Sequence, residues 1–256
     1  MTILIFKLLT TPVCIGGVTL ASRRWGPSVG GLVMGLPLTS GPVSVFLALQ
    51  YGPAFAAQAA AATLAGQTSG CAFTLAYGFA SRRWNWPVCV LVSLLTFIAC
   101  TTLLNRGSWS LVSGAVALLA AILVVARIIP ARDIPAAPVR PPSWDLPARM
   151  VVATAFVVAL TAAAQGLGPK LSGLIAPFPI YAPVLGAFTH HRQGSAAATQ
   201  LLRGNAVGAL SFISFFLIAG CGLGRMPLGA VYLLAALGAL ATGGLLVLAR
   251  RLRTAG

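Results

Sequence analysis

The chain has 256 residues, of which 58% are hydrophobic and only 7% are charged, and its mean hydropathy is +0.94. A soluble domain carries about 25% charged residues, so this composition excludes a surface that faces water all round and predicts a membrane protein. The 17 Lys and Arg residues outnumber the two Asp residues, but they fall between apolar runs and form no stripe with aromatic residues, so we predict no nucleic-acid partner.

Apolar runs follow one another along the whole chain. A bilayer core of about 30 Å needs about 20 apolar residues per helix. The runs predict an all-α bundle of about nine transmembrane helices in contact with the lipid bilayer, at 3–20, 28–50, 54–80, 87–104, 109–129, 150–167, 171–189, 196–220 and 227–249. The first run is interpreted as a span and not as a signal peptide, because its basic pair, Arg23 and Arg24, comes after the apolar residues. The connection 130–147 holds six prolines and both acids, which predicts an extended linker.

The basic residues in the connections are distributed unevenly between the two sides of this bundle. Counting alternate connections, one side holds twelve: Arg23, Arg24, Arg82, Arg83, Arg127, Arg132, Arg140, Arg149, Arg192, Arg250, Arg251 and Arg253. The other side holds three: Arg106, Lys170 and Arg225. Cytoplasmic connections carry the excess of Lys and Arg. The expected location is therefore a bacterial inner membrane, with the N-terminus periplasmic and the C-terminus cytoplasmic.

The second half of the chain repeats the first at an offset of 142 residues. Gly26-Pro27 matches Gly168-Pro169, and 26–75 aligned with 168–217 without a gap gives 14 identities in 50, where about four are expected by chance. An odd number of spans separates equivalent residues, so the second copy is predicted to be inverted. The predicted units are 1–106 for the first four-helix repeat, 107–147 for a linking helix and loop, and 148–256 for the inverted repeat. Inverted repeats recur in secondary transporters.

The stretch from Gly173 to His191, Gly-Leu-Ile-Ala-Pro-Phe-Pro-Ile-Tyr-Ala-Pro-Val-Leu-Gly-Ala-Phe-Thr-His-His, is followed by a helix of small residues. It resembles the GlpM family of small bacterial inner-membrane proteins, in which a similar Pro-x-Pro kink precedes an aliphatic helix. The resemblance covers about 150–220 and, more faintly, 8–78, and it implies a fused pair in opposite orientations. The general plan is also similar to inverted-repeat transporters of the LrgB and AbrB types. No catalytic or substrate-binding residue comes with either resemblance.

The second helix of each half contains several prolines, at 36–42 and at 176–183. Proline removes a hydrogen-bond donor and clashes with the preceding turn, so both helices should be interrupted. Interrupted helices at matching positions point to a transport site; the alternative is a pair of packing kinks. The candidate substrate-binding residues are Pro37, Thr39, Ser40, Gly41, Gln58, Pro179, Tyr181, Gln200, Arg203 and Asn205.

Arg203 lies inside the eighth predicted span, where an arginine normally faces the bundle interior. Its alternative role is to extend to the cytoplasmic headgroups. No span contains a carboxylate, so proton coupling would depend on His190 or His191, which are otherwise interfacial residues. Helix N-termini and an arginine without acids favour an anionic or neutral substrate.

No catalytic constellation is present in the sequence, and the five cysteines show no metal-ligand spacing. We therefore expect neither an enzyme nor a metal site nor a cofactor. The predicted function is a secondary transporter, an exporter of a small anionic or polar organic molecule. The alternative is a membrane component that assists envelope or polysaccharide assembly without transporting. The glycine-rich helix at 234–248 could also pack against a second copy in a homo-oligomer.

Overall fold

The computed structural model describes residues 2–132, 134, 142–166, 179 and 181–255. These residues form helices and connections, with no strand among them, which confirms the prediction of an all-helical membrane protein. The helices are α1 (Thr2–Trp25), α2 (Pro27–Met34), α3 (Ser40–Tyr51), α4 (Pro53–Ala80), α5 (Trp86–Leu104), α6 (Leu111–Ile128), α7 (Asp145–Gly166), α8 (Tyr181–Gln193), α9 (Ser195–Gly222) and α10 (Leu228–Ala255).

Four of the described helices are long and apolar enough to cross a membrane: α5, α6, α9 and the Leu228–Arg250 part of α10. Large apolar side chains on these helices are exposed at spacings of three and four residues, as in Leu91, Leu95 and Ile98 on α5. Residues at these spacings share one face of a helix. An apolar stripe that faces outward is what lipid contact requires, so the protein is embedded in a membrane.

Two of the three 28-residue helices, α4 and α9, form the centre of the bundle. They pack against each other, and α5 and α6 lie against α4 while α2 and α10 lie against α9. The buried residues of both helices are mostly Ala, Gly and Ser, and larger residues such as Leu64 and Phe216 are fully buried in the same hydrophobic core. Small residues allow membrane helices to approach closely. The resulting van der Waals contact stabilises their packing, because lipid supplies no hydrophobic driving force between helices.

Each central helix follows a glycine that turns the chain. Gly52 precedes α4 with φ +89°, and Gly194 precedes α9 with φ +87°. Residues with a Cβ rarely adopt this backbone conformation, so glycine permits α3 to join α4, and α8 to join α9, through a single residue.

The contact between α2 and α9 is closer still. Gly31 on α2 and Gly35, which directly follows α2, lie against Gly204 and Gly208 on α9, and a Cβ added at Gly35 would meet the carbonyl carbon of Gly208 at 2.5 Å. The two backbones therefore touch, and α2 is fixed to the centre of the bundle.

Helix ends that carry arginine gather at one end of the bundle. The end of α1 meets the start of α7, where Nη2 of Arg23 and Oδ2 of Asp145 are 2.7 Å apart. The end of α4 meets the start of α9 through the hydroxyls of Ser81 and Thr199, 3.2 Å apart. We call this the basic end; it includes Arg23, Arg83, Arg132, Arg149, Arg192 and Arg250.

The same end receives the last turns of α6, α8 and α10. Arg250 on α10 donates a hydrogen bond to the carbonyl of Arg132, which follows α6, and the ring of His191 on α8 lies edge-on to that of Trp86, the first residue of α5. At the opposite end, the side chain of Leu111 at the start of α6 lies next to Gly220 in α9. Helices α4 and α9 consequently run in opposite directions.

The run 28–50 forms two helices, since α2 ends at Met34 and α3 begins at Ser40, which agrees with the interruption predicted at 36–42. The predicted linker 130–147 ends earlier, since α7 begins at Asp145, whose carboxylate bonds Arg149 one turn later. Of the segments predicted to carry the second interruption and the resemblance to a known family, 167–178 and Ile180 lie outside the described residues, as do Asp133 and 135–141 in the linker.

Candidate functional site

The chain leaves helical conformation between α2 and α3, from Gly35 to Thr39. Pro37 cannot donate to the preceding turn, and the backbone closes instead through tight bonds, with the amide of Leu38 donating to the carbonyl of Leu36 at 2.8 Å. The amide of Gly41 donates to the carbonyl of Pro37 at 2.9 Å and starts α3. The interruption is thus a short loop between two helices, in which Gly35 is buried and 36–39 are half-buried.

Tyr181, the first residue of α8, reaches this loop. Its hydroxyl lies beside the side chain of Thr39 in the loop and beside Thr11 and Cys14 on α1. These two residues lie near the middle of the 24-residue α1. The interrupted segment and the start of α8, which follows the second proline-rich segment, therefore meet beside the middle of α1. We call Thr11, Cys14, Thr39 and Tyr181 the break site.

The Tyr181 hydroxyl is buried and makes no hydrogen bond of good geometry with the described residues, although these polar groups lie around it. The whole residue is 9% exposed. A buried polar group without a well-formed hydrogen bond costs about 1–3 kcal/mol, so a ligand that bonded this hydroxyl would recover part of that cost. The break site contains hydroxyls and a thiol and no charged side chain.

An apolar cavity of about 440 Å³ borders the same loop. Pro37 and Gly41 line it from the loop side, and Phe215 on α9 and Tyr232 on α10 line it from the other. Tyr232 donates a hydrogen bond to the carbonyl of Ser44 at 2.8 Å, which joins α10 to α3. The cavity is large enough for a small organic molecule.

Two predicted site residues have structural partners elsewhere. Gln200 accepts from the amide of Arg132 at 3.1 Å and donates to the carbonyl of Pro130 at 3.0 Å, and Arg203 donates from Nε to the carbonyl of Ile129 at 2.7 Å. The last carbonyls of a helix lack intrahelical partners. Both side chains therefore bind the chain at the end of α6, and Arg203 satisfies part of its bonding capacity there.

The remaining predicted residues are spread over the bundle. Asn205 is buried in the α2–α9 contact, and Gln58 is exposed on the first turns of α4. Ser40 begins α3 beside the loop, and Pro179 is half-buried and non-helical. The break site thus retains Thr39 and Tyr181 from the prediction, and Pro37 and Gly41 line the neighbouring cavity.

Sequence reasoning missed Thr11 and Cys14. The triplet Thr10-Thr11-Pro12 interrupts the apolar run of α1 with polar atoms and a proline, and this was the available signal. The triplet does not reveal which residues contact it, because those residues come from α8 and from the loop after α2.

A second polar group, at the basic end, was also missed. The carboxylate of Asp145, 1% exposed, contacts three guanidinium groups: Arg23 at 2.7 Å, Arg149 at 3.0 Å and Arg192 at 3.7 Å. Burial by itself raises the pKa of Asp145, but the charge of Arg149 and the hydrogen bonds from Arg23 and Arg149 outweigh it, so the pKa lies below its ordinary value. We call these four residues the arginine cluster.

This carboxylate makes stability depend on pH. Because the pKa of Asp145 is lower in the folded protein than the 3.8 of an isolated aspartate, its contribution to stability is complete above about pH 5 and is lost progressively as the pH falls toward the folded value. We expect the thermal midpoint in detergent to fall between pH 5 and pH 3, and to fall less in Asp145→Asn. An identical pH profile in the variant would contradict this assignment.

Comparison of the chain with protein-family models, with curated proteins and with solved structures finds no match. Any function must therefore be inferred from the geometry of the site.

Proposed function

We propose that the protein is a secondary transporter that moves a small polar organic solute, neutral or anionic, through the break site by alternating access. The observation that supports this proposal is the proximity of Tyr181 to Thr39 beside the middle of α1. Non-helical backbone at membrane depth is tolerated where it is buried in protein or lines a water-filled cavity. Here it lies beside a buried tyrosine hydroxyl that makes no hydrogen bond of good geometry with the described residues around it.

An inverted repeat within a nine-span bundle is part of the proposal. Its support is the agreement of helix starts: α4 and α9 begin at Pro53 and Ser195, and α5 and α10 begin at Trp86 and Leu228, each pair 142 residues apart. Equivalent helices also run in opposite directions relative to the basic end. Pseudo-symmetry of this kind gives a transporter two alternative states of similar energy around one site.

The proposed location is a bacterial inner membrane, with the basic end in the cytoplasm. The support is the collection of arginines at that end together with the exposed tryptophans Trp25, Trp84 and Trp144, since amphipathic rings favour the headgroup level. In this orientation α1 begins in the periplasm and α10 ends in the cytoplasm.

Accessibility of Cys14 to water tests alternating access without knowledge of the solute. In a variant that keeps Cys14 and replaces Cys71, Cys89, Cys100 and Cys221 with serine, we expect a charged methanethiosulfonate reagent to modify Cys14 in right-side-out and in inside-out vesicles. The reason is that a site open in turn to each side admits water to mid-depth. Mass spectrometry of the intact protein measures the modification.

The matched control keeps Cys71 alone, because this residue is 2% exposed and lies in the hydrophobic core of the bundle. Cys71 should react only after denaturation. Failure of Cys14 to react from either side would remove the proposed site. Reaction from one side only would contradict alternating access.

Flux in proteoliposomes tests the function itself. With a panel of radiolabelled amino acids, sugars and organic acids, we expect at least one solute to be transported, and Tyr181→Phe to reduce its flux about tenfold or more by removing one hydrogen bond from a buried site. Tyr51→Phe, at an exposed position, should have no effect. No flux of any solute, together with copurification of a stoichiometric partner, would favour the assembly component instead.

A further inference from the structure

The arginine cluster carries more positive than negative charge. Asp145 balances one of its three guanidinium groups, and it is the one acidic side chain among the described residues. The chain has 17 basic and two acidic residues, so it cannot supply counter-charges for most of its arginines. Among the described residues, two positive charges of the cluster therefore have no acidic partner.

The three arginines of the cluster differ in their exposure. Arg149 is 5% exposed, and its guanidinium is held by Asp145 and by the ring of Phe188, whose centroid is 5.1 Å away. The side chains of Arg23 and Arg192 are instead 29% and 30% exposed. The Nε of Arg192 lies 3.7 Å from Asp145, beyond hydrogen-bonding distance. A guanidinium has five N–H donors, so most donors of these two arginines are available.

Aromatic residues complete the boundary of this surface. The guanidinium of Arg192 lies over the ring of Trp144, 5.2 Å from its centroid, and Trp144 is itself 56% exposed. Tryptophan at the end of a membrane helix lies at headgroup level. The open arginine donors are therefore at the depth where lipid phosphates lie.

We propose that the arginine cluster is a binding site for one phosphate group, at the end of the bundle where α1, α7 and α8 meet. Arg23 and Arg192 bind the phosphate oxygens from either side, because guanidinium groups match phosphate geometry. The more deeply buried Arg149 adds a third positive charge, and Asp145 holds the three arginines together. Both the headgroup of an anionic phospholipid and free phosphate supply this chemistry, and basic pockets between helices on the cytoplasmic side bind such headgroups. The site is independent of the break site and of solute transport.

Native mass spectrometry of the full chain in detergent tests this proposal. Phosphatidylglycerol, phosphatidylcholine and inorganic phosphate are added in separate titrations. We expect one phosphatidylglycerol to remain bound in preference to phosphatidylcholine. Arg23→Gln and Arg192→Gln should each weaken this binding about fivefold, the factor for one basic residue beside an anionic headgroup.

Arg83→Gln is the matched control, because Arg83 is exposed at the same end and belongs to no ion pair in the cluster. Retention of inorganic phosphate with the same dependence on Arg23 and Arg192 would support the site with free phosphate as its ligand. Equal retention of the two lipids by the unaltered protein, with no phosphate bound, would overturn the proposal. So would loss of binding in Arg83→Gln equal to that in Arg192→Gln.

Discussion

Asp145→Asn is expected to destabilise the protein by about 3 kcal/mol or more, the cost of removing one partner from a buried ion pair. The carboxylate is 1% exposed, and Arg149, which bonds it at 3.0 Å, is 5% exposed. Asparagine keeps the shape but leaves three guanidinium groups without their shared counter-charge. Fluorescence-detected size-exclusion chromatography after heating measures the effect as a lower midpoint of thermal unfolding.

A double variant distinguishes charge imbalance from loss of shape. Asp145→Asn combined with Arg149→Met removes the buried carboxylate together with its most buried partner. Replacement of both members of a buried ion pair by uncharged groups is often nearly neutral, so the double variant should recover a large part of the lost stability. If the double variant is as unstable as the sum of the two single variants, the two residues do not interact as the structure indicates.

The helices were predictable because each depends on its own residues. The run 54–80 corresponds to Pro53–Ala80 and the run 196–220 to Ser195–Gly222, since a long apolar stretch between a turn-forming glycine and a polar connection has one stable form in lipid. The interruption after α2 was predictable for the same reason, because it depends on Pro37, which has no amide hydrogen to donate whatever surrounds it.

Partners between distant segments could not be predicted. Arg203 lies in an apolar run and was a candidate ligand, but its bond to Ile129 depends on how α6 ends, 74 residues away. Asp145 was assigned to a linker because prolines surround it, and its role depends on Arg23, 122 residues earlier. The break site likewise joins α1, the loop after α2 and the start of α8. Only the packing of helices brings these groups together.

Gly35→Ala is expected to disrupt the contact between α2 and α9. Gly35 has φ −74°, which alanine adopts without strain, so any effect comes from the added methyl group. That group would meet the carbonyl carbon and Cα of Gly208 at 2.5 and 2.6 Å. These are backbone atoms of a central helix and cannot rotate away. Overpacking of this kind costs about 1–3 kcal/mol or more, and we expect a lower thermal midpoint in the same chromatographic assay.

Gly244→Ala is the matched control, because an added Cβ on this exposed residue of α10 meets nothing within 4 Å. Alanine is favoured over glycine in a helix by about 1 kcal/mol, so the control should be neutral or slightly more stable. Gly35 is also the first residue of the interruption beside the break site. A stable Gly35→Ala protein would therefore show that α2 does not touch α9 here, and the position of the loop that carries Thr39 would lose its structural basis.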